Sequence, residues 1–151
     1  MLFRATTNIN RVIRDLQDEF EEIDAKSNQM VKAAASFIIY EVQDMPPAGT
    51  PRDTRRAVNG WNISPGLVGD FTDPGEAFLH EEPDPEQEIR KLTGEEHEAN
   101  IANGVPYIGL LEFGSSSQAP SNFIRMAIDR AVSYLDFAKL SGKVGRGRRI
   151  R

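Results

Sequence analysis

Glu112 stands just ahead of three serines, Ser115, Ser116 and Ser117, and a carboxylate near hydroxyls is raw material for nucleophilic catalysis. A serine nucleophile also needs a base within hydrogen-bond reach and a group that orients the base. The only histidines are His80 and His97, in or near a stretch crowded with acids, and no G-x-S-x-G elbow occurs. The adjacent carboxylates Glu81-Glu82 and Glu95-Glu96 have the residue types of glycoside hydrolysis. Their surroundings hold few apolar residues, so nothing there would raise an acid's pKa. His80, Glu81, His97 and Glu98 offer metal-ligating atoms without a recognised ligand spacing. The chain has no cysteine, which removes thiolate chemistry and disulfides. These residues read as a solvated acidic loop, and no catalytic, cofactor or metal site is expected.

Two further features bear on binding. Six of the 18 basic residues lie from Lys139 onward, where there are no acidic ones. Met1 to Ala138 is left with 12 basic against 23 acidic residues, a net of −11. An acidic body with a short basic tail is not the footprint of a general DNA binder, which presents a basic face on its folded part. Arg146, Arg148 and Arg149 in that tail suit phosphates or an acidic protein surface. Trp61, the single tryptophan, is not framed by basic groups and reads as a core anchor, not a stacking platform.

The elements that must position these residues follow from periodicity. Apolar residues from Ile9 to Val42 keep helical spacing, with Asn8 a candidate N-cap and Pro46-Pro47 a stop. This is one very long helix or two, with Ala25–Asn28 the weak point. A helix about 55 Å long overhangs a domain of this size, and its first half buries little beyond Phe20 and Ile23. That half is expected to pack on another subunit. Asp53 and Thr54 are expected to cap a short turn into Ala57 and Val58, followed by a strand over 60–64. The region 70–85, acidic and rich in Pro and Gly, reads as a mobile loop, and 85–92 as a short helix. A strand over 98–102, a turn at Asn103-Gly104 and a partner strand over 107–113 make a hairpin. In that reading Glu112-Phe113-Gly114 ends a strand, with Gly114 permitting a positive φ. Pro120 then leads into a last helix. At 151 residues the chain suits one domain, 1–141, followed by a flexible tail, 142–151. The class is α+β: a long N-terminal helix packed on a small antiparallel, curved sheet, with a C-terminal helix. No apolar run approaches a membrane span, and the N-terminus lacks the apolar core of a signal peptide.

Several short blocks occur in a telling order: Thr50-Pro51, Asp53-Thr54, Ala57, Trp61, then Asn103 and Pro106-Tyr107-Ile108, then Leu111-Glu112, Gly114, Ser116 and Gln118-Ala119-Pro120. In order and distance they resemble the tail-completion, or neck, proteins of long-tailed bacteriophages, the HK97-type head–tail joining family. The match covers roughly residues 30 to 135. Arg55 stands where that family usually has a glycine, and the last helix opens Ser-Asn-Phe-Ile in place of the more usual glycine-methionine. The basic tail is not part of the family pattern.

The resemblance implies a structural protein without a catalytic group. Such proteins form a homo-oligomeric ring, commonly a hexamer, at the top of the tail. The ring joins the tail tube or tail terminator to the head connector or stopper. The implied location is the neck of the virion, after assembly in the host cytoplasm. DNA would pass through the channel without sequence-specific binding, as an acidic body allows. A tail-terminator ring is the alternative within the same machine, and a small nucleic-acid-binding regulator the alternative outside it.

Overall fold

The computed structural model describes the backbone of residues 2–66, 69–75, 81–119 and 121–140, and the side chains of those from 11 to 135. Helix α1 spans Leu2–Gln43 without a break, so the weak point expected at Ala25–Asn28 does not interrupt it, and it begins ahead of Asn8. At about 1.5 Å per residue it runs to roughly 63 Å. Its C-terminal end is closed by Thr50, which folds back to donate to the Val42 carbonyl from both its amide (2.9 Å) and its hydroxyl (2.6 Å). Those bonds satisfy a carbonyl that the end of a helix leaves without an internal partner.

Helix α2 (Arg56–Asn59) leads into strand β1 (Trp61–Pro65), which pairs antiparallel with β2 (Ala99–Asn103). The register sets Trp61 opposite Asn103 and Ile63 opposite Ile101. Between the strands lies α3 (Pro85–Ile89), whose N-cap Asp84 accepts from the Gln87 amide at 3.3 Å. Helix α4 (Ile108–Glu112) and helix α5 (Phe123–Leu140) complete the chain. The class is α+β: a long N-terminal helix, an open two-stranded antiparallel sheet and a C-terminal helix. A lone pair of strands is marginal in water and needs a covering helix. Trp61 and Ile63 from β1 meet Ala35, Ile39 and Val42 of α1, Leu92, and Phe123 and Ala127 of α5 in one core.

Three expectations are corrected. The hairpin at Asn103-Gly104 does not form, because β2 pairs with β1 and the expected partner strand is helix α4. Asn103 turns the chain: its side-chain amide donates to the Ala57 carbonyl (2.8 Å) and its oxygen accepts from the Val105 amide (2.9 Å). Ile108 and Leu111 then pack against the core three residues apart, while Leu110 and Phe113 face outward. That is helical spacing, not alternation. Glu112-Phe113-Gly114 therefore ends a helix, not a strand. Lastly, Asp53 and Thr54 do not cap α2, whose N-cap is Arg55 with no side-chain cap bond.

Candidate functional site

Glu112 closes the N-terminus of α5. Its two carboxylate oxygens accept from the amides of Ile124 (2.8 Å) and Arg125 (3.2 Å), and its carbonyl accepts from the Asn122 amide (2.6 Å). The carboxylate thus meets two amides that a helix start leaves unpaired and the positive end of the helix dipole. Gly114, at φ +91°, is the left-handed residue after α4. Its amide bonds Leu111 O (3.0 Å) and the next amide, of Ser115, bonds Leu110 O (3.2 Å), the paired pattern of a glycine-terminated helix. The serines serve the same turn. Ser115 Oγ donates to Leu110 O (2.8 Å), and Ser116 Oγ accepts from the Gln118 amide (3.1 Å). His97 lies elsewhere, 3.5 Å from Asp24 on α1. Among the described residues, the structure does not bring Glu112 and the serines together with His97, and His80 lies outside the described residues.

Gln118 joins two blocks far apart in sequence. Its side-chain oxygen accepts from the Arg52 amide (2.7 Å), and its side-chain amide donates to the Asp53 carboxylate. Two residues before Arg52, Thr50 Oγ accepts from the Trp61 indole N–H at 2.8 Å, and Trp61 is buried. A single threonine hydroxyl therefore ties the end of α1 to the start of β1. Tyr107, half-buried at the N-cap of α4, has the Arg56 guanidinium 5.8 Å from its ring centroid. Arg56 also grips Asp73 through two nitrogens, and that contact, with the Gly75 amide, lowers the Asp73 pKa to about 2. Arg52 and Arg55 both reach Glu82, at 2.5 and 2.9 Å. In the acidic segment, Asp73 and Glu82 are thus tied to the turn around α2.

The only positive-φ residues other than glycine among those described are Arg55 (φ 56°) and Asn122 (φ 65°). Arg55 thus takes up a backbone conformation that glycine adopts without strain.

The sequence-predicted surface residues split into two groups. Phe20 and Ile23 lie on α1, 68% and 62% exposed, with Val12, Ile13 and Leu16 also exposed on the same overhanging half. Leu110 and Phe113 make a second exposed apolar pair at the α4 end, 63% and 82% exposed, which sequence reasoning missed. Pro120, Arg146, Arg148 and Arg149 lie outside the described residues. Among the described residues, no group of three or more metal-ligating side chains is placed to hold a metal ion, and no helix is long and apolar enough to cross a membrane. A shallow cleft of about 440 Å³ beside α1 is lined by Glu21, Asp24, Asn28 and His97. No protein-family model, curated protein or solved structure matches this chain.

Proposed function

We propose that this chain is a structural protein of the head–tail joining type, a ring-former at the top of a phage tail that links the tail tube or terminator to the head connector. The observation that carries this reading is the uncovered half of α1. Every described residue from 11 to 27 is exposed, yet that stretch displays Val12, Ile13, Leu16, Phe20 and Ile23 in helical spacing. Helix stability in water comes mostly from packing an amphipathic face, and a face left open on one chain suits a second copy. A surface that meets a different surface on the next copy generates a ring where the rotation between copies closes.

The blocks that resemble neck proteins add support. Thr50 with Trp61, and Gln118 with Arg52 and Asp53, hold the long helix, the first strand and the approach to the last helix in one network. The residues that carry the resemblance are thus spent on holding the subunit rigid. A net charge of −11 over Met1 to Ala138 suits a channel that lets DNA slide.

Deleting the gene from a phage that carries it tests the proposal. The expected result is DNA-filled heads beside separate tails of normal length, with joining restored by adding the purified protein. Tails of uncontrolled length would assign the chain to the terminator ring, and normal virions would overturn both readings.

A further inference from the structure

Helix α5 runs antiparallel to α1. Arg130 pairs with Glu41, and one turn on, Tyr134 stacks on Phe37 with ring centroids 5.0 Å apart. Each step up α5 is a step down α1, so Leu140 lies level with roughly residue 31 of α1 at the shared rise of about 1.5 Å per residue. Phe37 ends a row at seven-residue spacing, Leu16, Ile23, Met30 and Phe37, and such a row keeps to one face of a helix. Tyr134 covers the row at Phe37, whereas Leu16 and Ile23 stay open, 46% and 62% exposed. Asp15, Glu19 and Glu22 form a parallel row beside them, and residues 15–24 contain six acids and no base. Asp15 and Glu22 make exposed pairs within the helix, with Arg11 (3.9 Å) and Lys26 (2.6 Å).

The chain that follows Leu140 has the complementary composition. Residues 141–151 carry Lys143, Arg146, Arg148, Arg149 and Arg151, no acid, and the apolar Val144 and Ile150. Extended at about 3.3 Å per residue, they reach roughly 35 Å. The path from the level of residue 31 back to Asp15 is about 24 Å along α1. We infer that this segment folds back along α1 of its own chain, with its basic residues against the Asp15–Glu19–Glu22 row and Val144 on the Leu16–Ile23 row. The same stripe of a second copy is a poor occupant, because it would set six acids against six. The neighbouring row, Ile13 and Phe20, stays open, so the inference is compatible with ring formation and does not depend on it.

The absence of cysteine makes cross-linking a clean test. The full chain carrying Ile23→Cys and Val144→Cys is oxidised gently at low concentration. Its comparison is Glu21→Cys with Val144→Cys, because Glu21 sits on the opposite face of the same helical turn. The expected result is an intramolecular disulfide forming about tenfold faster at Ile23 than at Glu21, since docking raises the local concentration of Val144 at that face. Raising salt to about 0.5 M, or replacing Asp15, Glu19 and Glu22 by their amides, should remove most of the advantage. Equal rates at the two faces would overturn the inference. So would cross-links that form only between chains when the Ile23→Cys and Val144→Cys variants are mixed.

Discussion

At the scale of single residues, Glu112, Ser115 and Ser116 each bond backbone around the α4–α5 turn. Glu112 is the clearest case, since both of its oxygens are engaged by the first turn of α5. Glu112→Ala should cost about 1–2 kcal/mol, the usual loss when a helix cap is removed, measured by denaturant unfolding. A cost near zero would mean that α5 starts equally well without it. Asp73 and Glu96 have pKa values lowered from 3.8 and 4.5 to about 2. The Arg56 guanidinium is the main cause for Asp73, and the Thr93 amide for Glu96. A depressed folded-state pKa gives stability that is present above the unfolded value and is lost as pH falls through the folded one. Acid unfolding should therefore steepen between about pH 4.5 and pH 2. The double variant Asp73→Asn, Glu96→Gln should take up fewer protons on unfolding in that window, which calorimetry at several pH values would detect. Arg55 makes a different point. Its left-handed backbone means that Arg55→Gly, normally a costly change, should leave stability unchanged or raise it by up to about 1 kcal/mol.

At the scale of elements, legibility followed the physical signal. The long helix, the strand at Trp61 and the last helix could be read because periodicity over many residues, or alternation beside a tryptophan, leaves few alternatives. Both strands fall within one residue of their expected positions. Helix α4 was misread for an identifiable reason. In Tyr107–Phe113 five of seven residues are apolar, and a short apolar run does not distinguish a buried strand from a helical turn. The signal that decides it is Gly114 after the run, which is as much a helix stop as a strand exit. Asn103-Gly104 likewise looks like a hairpin turn until Asn103 is seen bonding Ala57 across the fold. Strand partners 34 (Pro65 with Ala99) to 42 (Trp61 with Asn103) residues apart leave no local trace. Gln118 was legible as a surface polar group but not as the bridge to Arg52 and Asp53. The Trp61 reading makes a quantitative claim: buried against α1 with its N–H satisfied by Thr50, it should cost about 3–5 kcal/mol when replaced by alanine. A loss below about 1 kcal/mol, in the range of ordinary surface changes, would show that this core is not the one that holds the fold.

At the scale of the whole molecule, the chain divides its apolar surface between two purposes. The C-terminal half of α1 is consumed by the sheet and α5, whereas residues 11–27 of the same helix are all exposed. Those halves should respond oppositely to substitution. Phe20→Glu adds a charge at a position that is 68% exposed, so it should change the stability of the isolated chain by no more than about 0.5 kcal/mol. In a ring the same change buries an unpaired carboxylate at a contact and repels the acids already there, so assembly should fail. The expected pattern is a normal unfolding midpoint together with loss of rings in electron micrographs and loss of head–tail joining in a complementation assay. Hydrogen exchange supplies the companion measurement. In a free chain cut after Leu140, amides of residues 11–22 should exchange far faster than those of 30–43, and slow on assembly, because only the second set is covered by the core. Strong and equal protection of both sets before assembly, in a chain cut after Leu140 as well as in the full one, would mean that the folded body of the subunit itself holds the whole overhang, the Ile13 and Phe20 row included. The open stripe would then be no evidence for a ring, and the joining proposal would lose its main physical support.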